Sequence, residues 1–139
     1  MKTKKEEIIY INIDAMPIST NQIWRQNYKT GRSYLNPEYQ RFRAIVKFRT
    51  IGIKMPKSWK HCAVTIVVHP KRKTGDADNY IKGILDSLTK AGFWDDDRRV
   101  SEVRSAFGDV DKNGRVEIAV EKRENKFWGD LFKIFFANA

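Results

Sequence analysis

The run His61–His69 (HCAVTIVVH) constrains the fold of this chain more than any other segment. Val64, Ile66, Val67 and Val68 are β-branched and pack well on a pleated surface, so the run reads as a strand. Pro70 stops it. A basic turn, Lys71 to Ala77 (KRKTGDA), follows. Asp76 or Asp78 can then cap a helix running to about Ala91, with Ile81, Ile84, Leu85 and Leu88 as its i, i+3, i+4, i+7 stripe and Gly92 to close it. A strand feeding an amphipathic helix calls for a sheet with helices packed on it.

The flanking segments complete that picture. Ile8 to Asp14 alternates apolar with polar after Tyr10 and reads as a strand. Ala15 to Ser33 is polar, holds Pro17, Asn21, Asn27 and Gly31, and reads as a long loop of the kind that carries function. Asn36-Pro37-Glu38 is a helix start, followed by Phe42, Ile45, Val46 and Arg49 at helical spacing, with Gly52 as its C-cap. Val100 to Val110 and Arg115 to Glu121 read as two strands of a hairpin turned at Asp111-Lys112-Asn113-Gly114. From Asn125, Phe127, Trp128, Leu131, Phe132, Ile134, Phe135 and Phe136 read as a short apolar terminal helix, too short to span a bilayer. The expected class is α+β: one small domain with helices on a mixed sheet, residues 1–121 forming its body and 122–139 a helical extension.

With 139 residues the chain is long enough for one core without disulfides. Its single cysteine, Cys62, cannot bridge internally and fits a reducing compartment. The charged start, MKTKKEE, has no apolar region behind it and does not read as a secretory signal. Together these features give a cytoplasmic expectation.

The chain holds 27 basic against 17 acidic residues, a net charge of +10. Residues 1–60 alone carry 13 basic and 4 acidic residues. Such a surplus favours a polyanion, either nucleic acid or an anionic membrane. The one markedly apolar segment, Phe127 to Phe136, lies outside the basic region, which leaves the membrane without support.

Against this background Asp76, Asp78, Asp86, Asp95, Asp96 and Asp97 are conspicuous. Asp76 and Asp78, one residue apart in a turn, can be aimed at one ion. Lys82 follows Asp78 by four residues, one helical turn on. Carboxylate-held Mg²⁺ activates water for phosphodiester hydrolysis, and a neighbouring lysine stabilises the phosphate. From spacing alone the same residues also fit a capping Asx-turn, a solvated loop and a routine i, i+4 ion pair.

The stretch GDADNYIKGILDSLTKAGFWDDDRRV, Gly75 to Val100, resembles the signature region of the RusA family of Holliday-junction resolvases. The correspondence comprises D-x-D-N-x-x-K, then D-x-L-T-K-A-G, then F-W-x-D-D. Met16 to Asn21 with Trp24-Arg25 is similar to the family's P-x-S-x-N loop, and the likeness covers roughly residues 8–121. The resemblance implies a homodimeric, Mg²⁺-dependent endonuclease (Mn²⁺ as a substitute metal) of α+β fold. It would cut four-way DNA by paired incisions, without a nucleotide cofactor, and be borne by bacteria or phage. It places catalytic aspartates at Asp76, Asp78 and Asp97 and the catalytic lysine at Lys82, with Asp96 as the alternative ligand. Residues 122–139 extend past the family's usual end.

Trp24, Tyr28 and Tyr34 interleave with Arg25, Lys29 and Arg32, which suits phosphate contact plus base stacking. Their alternative is a loop whose aromatics pack on the core. Lys71, Arg72 and Lys73 suit guiding a phosphate backbone to the metal, against a solvated charge run. Asp109-x-Asp111-x-Asn113-Gly114 matches half an EF-hand loop, but its twelfth position is Val120, so a turn is expected. His69 reads as a strand-end histidine and Cys62 as a small buried residue. Two competing functions remain: a non-catalytic DNA-binding module, and a nuclease acting on other branched DNA. Dependence on a divalent metal separates the first, and comparison of junction, fork and duplex substrates the second.

Overall fold

A computed structural model describes residues 7–73 and 75–124. In chain order they form β1 (Ile8–Ile13), β2 (Trp24–Gln26), β3 (Ser33–Leu35), α1 (Pro37–Arg49), β4 (His61–His69), α2 (Ile81–Lys90), β5 (Val100–Phe107) and β6 (Arg115–Arg123). Single 3₁₀ turns precede β2, α2 and β5. The main sheet has the order β1-β6-β4-β5; β6 runs antiparallel to both β1 and β4, and β5 parallel to β4. The class is therefore α+β with a mixed sheet.

Alternation decides which face is covered. Ile11 and Ile13, Val64, Ile66 and Val68, and Val116, Ile118 and Val120 all point to one side and are buried. They meet Phe42 and Val46 of α1 and Ile84 and Leu88 of α2 in one apolar cluster. Tyr10, Asn12 and Glu117 occupy the opposite, wetter face. At about 25 cal/mol per Å² of apolar area withdrawn from water, this single-sided core is the dominant favourable term in folding.

Sequence expectations met the structure unevenly. β4 occupies His61–His69 as read. Asn36 caps α1, its side-chain oxygen accepting from the Glu38 N–H at 3.0 Å, with Pro37 in the first turn. That helix ends at Arg49 with Thr50, not Gly52, as its C-cap. The expected loop over 15–33 instead contains the 3₁₀ turn and β2, which pairs antiparallel with β3 as a small separate sheet.

The expected β5–β6 hairpin is not formed, because β4 lies between the two strands. The turn chemistry is nonetheless present. The Asp111 carboxylate accepts from the Asn113 N–H at 2.9 Å, and Gly114 adopts φ +75°. The connection crosses the end of β4, where the Gly108 N–H bonds the Val68 carbonyl and the Asp111 N–H that of Pro70. A side chain at Gly108 would collide with the His69 ring and Val67. β6 carries residues 122 and 123 as well, while the apolar segment expected over 125–136 lies outside the described residues.

Candidate active site

Two acidic groups flank α2. The first, Asp76 and Asp78, follows β4. Gly75 turns the chain with φ +72°, Asp76 is extended, and a 3₁₀ turn over Ala77–Tyr80 leads into α2. Thr20 Oγ1 donates to the Asn79 carbonyl at 2.9 Å, and Tyr80 packs edge-on against Phe107 with ring centroids 6.4 Å apart. Those contacts fix the pair beside the last residue of β5.

Neither carboxylate serves as a cap. Asp76 occupies the N-cap position of the 3₁₀ turn without a side-chain bond, and α2 begins at Ile81 behind Tyr80, again uncapped by a side chain. Lys82 turns away from Asp78 and lies 3.8 Å from Asp86. The capping and ion-pair alternatives for Asp76 and Asp78 are thus unrealised. Both carboxylates are exposed and have no side-chain partner among the described residues.

The second group follows α2. The Gly92 N–H bonds the Thr89 carbonyl and the Phe93 N–H the Leu88 carbonyl, a Schellman ending with Gly92 at φ +78°. Phe93 and Trp94 are buried, and Trp94 Nε1 donates to Thr89 Oγ1 at 2.7 Å. This anchor throws Asp95, Asp96 and Asp97 outward. Arg99 grips Asp95 and holds its carboxyl below the usual range, chiefly through the side-chain hydrogen bonds. Asp96 caps the 3₁₀ turn Asp97–Arg99 by accepting from the Arg98 N–H at 2.8 Å. Asp97 is half-buried and makes no side-chain bond among the described residues.

Asp95, Asp96 and Asp97 border an open cleft of about 830 Å³ with Asp86, Trp24, Tyr39, Arg43 and Lys90. Sequence reading did not single out Arg43 or Lys90. The Arg43 guanidinium lies 5.6 Å from the Tyr39 ring centroid. The β2–β3 hairpin beside the cleft exposes its aromatics rather than packing them: Trp24 is 63% and Tyr28 93% exposed, with Arg25, Lys29 and Arg32 exposed around them. Lys71, Arg72 and Lys73 are exposed next to Asp76.

The two acidic groups are not brought together. Asp97 stands before Val100, which pairs with Cys62 at the start of β4, whereas Asp76 and Asp78 stand beside Phe107, which pairs with Val68 at the end of β4. The length of β5 separates them, about 23 Å at roughly 3.3 Å per residue. Among the described residues no three His, Cys, Asp or Glu side chains of one chain gather as metal ligands.

Other candidates are accounted for structurally. His69 is buried, with Nδ1 donating to the Asp109 carbonyl at 2.8 Å and Nε2 3.0 Å from Glu117. Both ring nitrogens thus have partners within the fold. Cys62 is fully buried, and burial pushes its thiol up to about 11. Among the described residues no helix is long and apolar enough to cross a membrane.

Comparison with known proteins gives the family. Residues 14–121 match the family model described as Endodeoxyribonuclease RusA. The chain is 36% identical over 117 residues to "Crossover junction endodeoxyribonuclease RusA" of Escherichia coli (strain K12) and of Shigella sonnei (strain Ss046). The protein of the same description from Enterobacteria phage 82 is equally similar. Each alignment covers 79% of this chain and 92% of the relative.

Proposed function

This chain belongs to the RusA family and is an endodeoxyribonuclease that resolves crossover (Holliday) junctions, and we propose that it acts as a homodimer in which Asp76 and Asp78 of one protomer and Asp97 of the partner subunit are the ligands of the divalent cation it uses, Mg²⁺. The observation that carries this reading is that the Asp76 and Asp78 carboxylates, at a helix start where carboxylates usually cap, make no side-chain bond among the described residues. Hard oxygen donors on exposed turns fit Mg²⁺, which binds through few carboxylates and keeps several waters.

When bound, the cation supplies an activated water and a Lewis acid for the phosphate oxygens. The protein's own groups do the rest. Lys71, Arg72 and Lys73 draw the phosphate backbone toward Asp76 and Asp78. Lys82, held only by an exposed contact to Asp86, swings to the scissile phosphate and balances the charge that develops there. Trp24, Arg25, Lys29 and Arg32 hold the arms of the branched DNA. Two protomers related by a two-fold axis match the symmetry of the four-way junction, so paired nicks fall on equivalent strands.

The test is cleavage of a mobile four-way junction in Mg²⁺. Wild type yields paired nicked duplexes, and a chelator stops it. Asp78→Asn removes a ligand charge but no DNA contact, so it abolishes cutting and retains junction binding. Cutting by Asp78→Asn at the wild-type rate rejects the ligand assignment.

A further inference from the structure

From the seam between α1 and α2 we infer a further phosphate-binding site, in which Arg43, Lys47 and Lys90 grip the backbone of a junction arm where it leaves the acidic cleft. It rests on the junction-resolving activity of the family, whichever aspartates hold the metal.

A notch of about 260 Å³ lies between the two helices, lined by Gln40, Arg43, Ala44, Lys47, Lys90 and Ala91. The four residues of α1 form an i, i+3, i+4, i+7 set and so share one face of that helix. Lys90 is the last residue of α2, and Ala91 is its C-cap. The short side chains of Ala44 and Ala91 leave a depression among three long cationic ones. Gln40 is tied back, its Nε2 donating to the Leu35 carbonyl at 3.2 Å. No acid lines the notch.

Elsewhere the chain pairs its arginines. Arg49 meets Asp14, Arg99 meets Asp95, Arg115 meets Asp111 and Glu117, and Arg123 meets Glu102. Among the described residues Arg43, Lys47 and Lys90 have no carboxylate partner. Like charges four residues apart, as at Arg43 and Lys47, weaken a helix rather than support it. The helix dipole accounts for a cation in a last turn, which covers Lys47 and Lys90. It does not account for Arg43, in the middle of α1. That guanidinium lies over the Tyr39 ring, so it is held in place instead of moving freely in solvent. Three converging cations, one of them already oriented and none neutralised, make a site for an anion.

Position says which anion. Arg43 and Lys90 also border the larger cleft that holds Trp24 and Asp95 to Asp97. The notch and the cleft therefore share a wall, and a strand lying in the cleft continues into the notch. Lys47 stands one turn beyond Arg43, a rise of about 6 Å. Over that length one DNA strand passes nearly two phosphates, at about 3.4 Å of helix axis each. The lining holds no aromatic ring on which a base could stack. The notch thus takes backbone and not sequence, and it fixes the direction in which the arm departs.

The test uses the whole chain and a four-way junction in the presence of a chelator, so that binding is read without cutting. Lys47 and Lys90 are exposed, and the double variant Lys47→Ala, Lys90→Ala removes two cations from the notch. Its junction binding is expected to be roughly 10-fold weaker at moderate salt, with a log–log salt slope shallower by about two units. Junctions carrying a single neutral methylphosphonate then locate the contact. In wild type, neutralising one or two arm phosphates beyond the cleavage positions weakens binding. The double variant is expected to ignore those substitutions and to respond at the remaining phosphates as wild type does, which also shows that it is folded. A double variant with the wild-type salt slope overturns the inference and leaves the notch to an acidic protein partner. A wild-type pattern of sensitive phosphates overturns it as well. So does a response blunted equally at every phosphate, because the two lysines then act as diffuse charge and form no site.

Discussion

Arg99 clasps Asp95 with two parallel hydrogen bonds, 2.6 Å from Nε and 2.9 Å from Nη2, and turns Nη1 to the carbonyl of Trp59 at 3.0 Å. One guanidinium thus rivets the acidic loop to the chain that enters β4. Asp97 lies two residues from this rivet, so under the proposed ligand assignment the fork positions that carboxylate from outside the metal site. Lysine keeps the charge and loses the fork. Arg99→Lys is expected to cut junctions roughly 10- to 100-fold more slowly, the scale of a misplaced catalytic group. Junction affinity should stay within about twofold at one salt concentration, as no phosphate contact is lost. Equal losses of binding and cutting would show that Arg99 acts on DNA directly.

Gly114 separates backbone freedom from space. Its φ is +75°, and an added Cβ would sit 2.6 Å from the Met16 Cβ and 2.9 Å from the Met16 nitrogen. Gly52 has nearly the same φ, +76°, but open space around it. Gly52→Ala should cost about 1 kcal/mol, the price of the left-handed conformation alone. Gly114→Ala should cost about 3 kcal/mol, because the β1 exit must also move. Urea unfolding of the two variants checks the difference.

Cys62 makes stability fall in alkali. Its thiol is raised by burial from 9.0 to about 11 in the fold, partly opposed by the charge of Arg99. Between those values the unfolded chain ionises and the folded chain does not. The contribution is therefore complete below pH 9 and declines as pH rises toward 11, a loss of about 3 kcal/mol at roughly 1.4 kcal/mol per pH unit. Cys62→Ala lacks this slope. Unfolding midpoints of both proteins from pH 8 to 11 should converge, and parallel curves would show that the thiol does not carry the effect.

The β2–β3 hairpin predicts two separable contributions to junction binding. Lys29→Ala should lower the salt dependence of binding by about one unit of log–log slope, the mark of one lost phosphate contact. Tyr28→Ala should leave that slope unchanged and weaken binding by about 1–3 kcal/mol if its ring stacks on an unpaired base. Fluorescence titrations at several salt concentrations separate charge from stacking.

Local chemistry was legible in the sequence wherever one segment decided it. Asn36-Pro37 starts α1, the Ile84–Leu88 stripe faces the core, and Gly92 ends α2, because caps and stripes need only neighbours. β2 and β3 escaped because strands of three residues have no period to read. The misread hairpin has a different cause. Its turn forms as the Asp111-x-Asn113-Gly114 pattern dictates, but strand neighbours are chosen by distant apolar partners, and β4 takes both β5 and β6. The carboxylates were identifiable by type and spacing. Their placement at opposite ends of β5 depends on β4, α2 and β5 forming one parallel crossover, which no local pattern encodes.

That strand order also sets a timetable for synthesis. β6 is the last described strand to leave the ribosome, yet it is the only one that pairs with β1, the first. Until it emerges, β1 has no neighbour and β4 is covered on one side alone. The sheet cannot close before β6 emerges, and the β1–β6 contacts are made over long sequence distance. A nuclease built in this order has no complete sheet until β6 has been made.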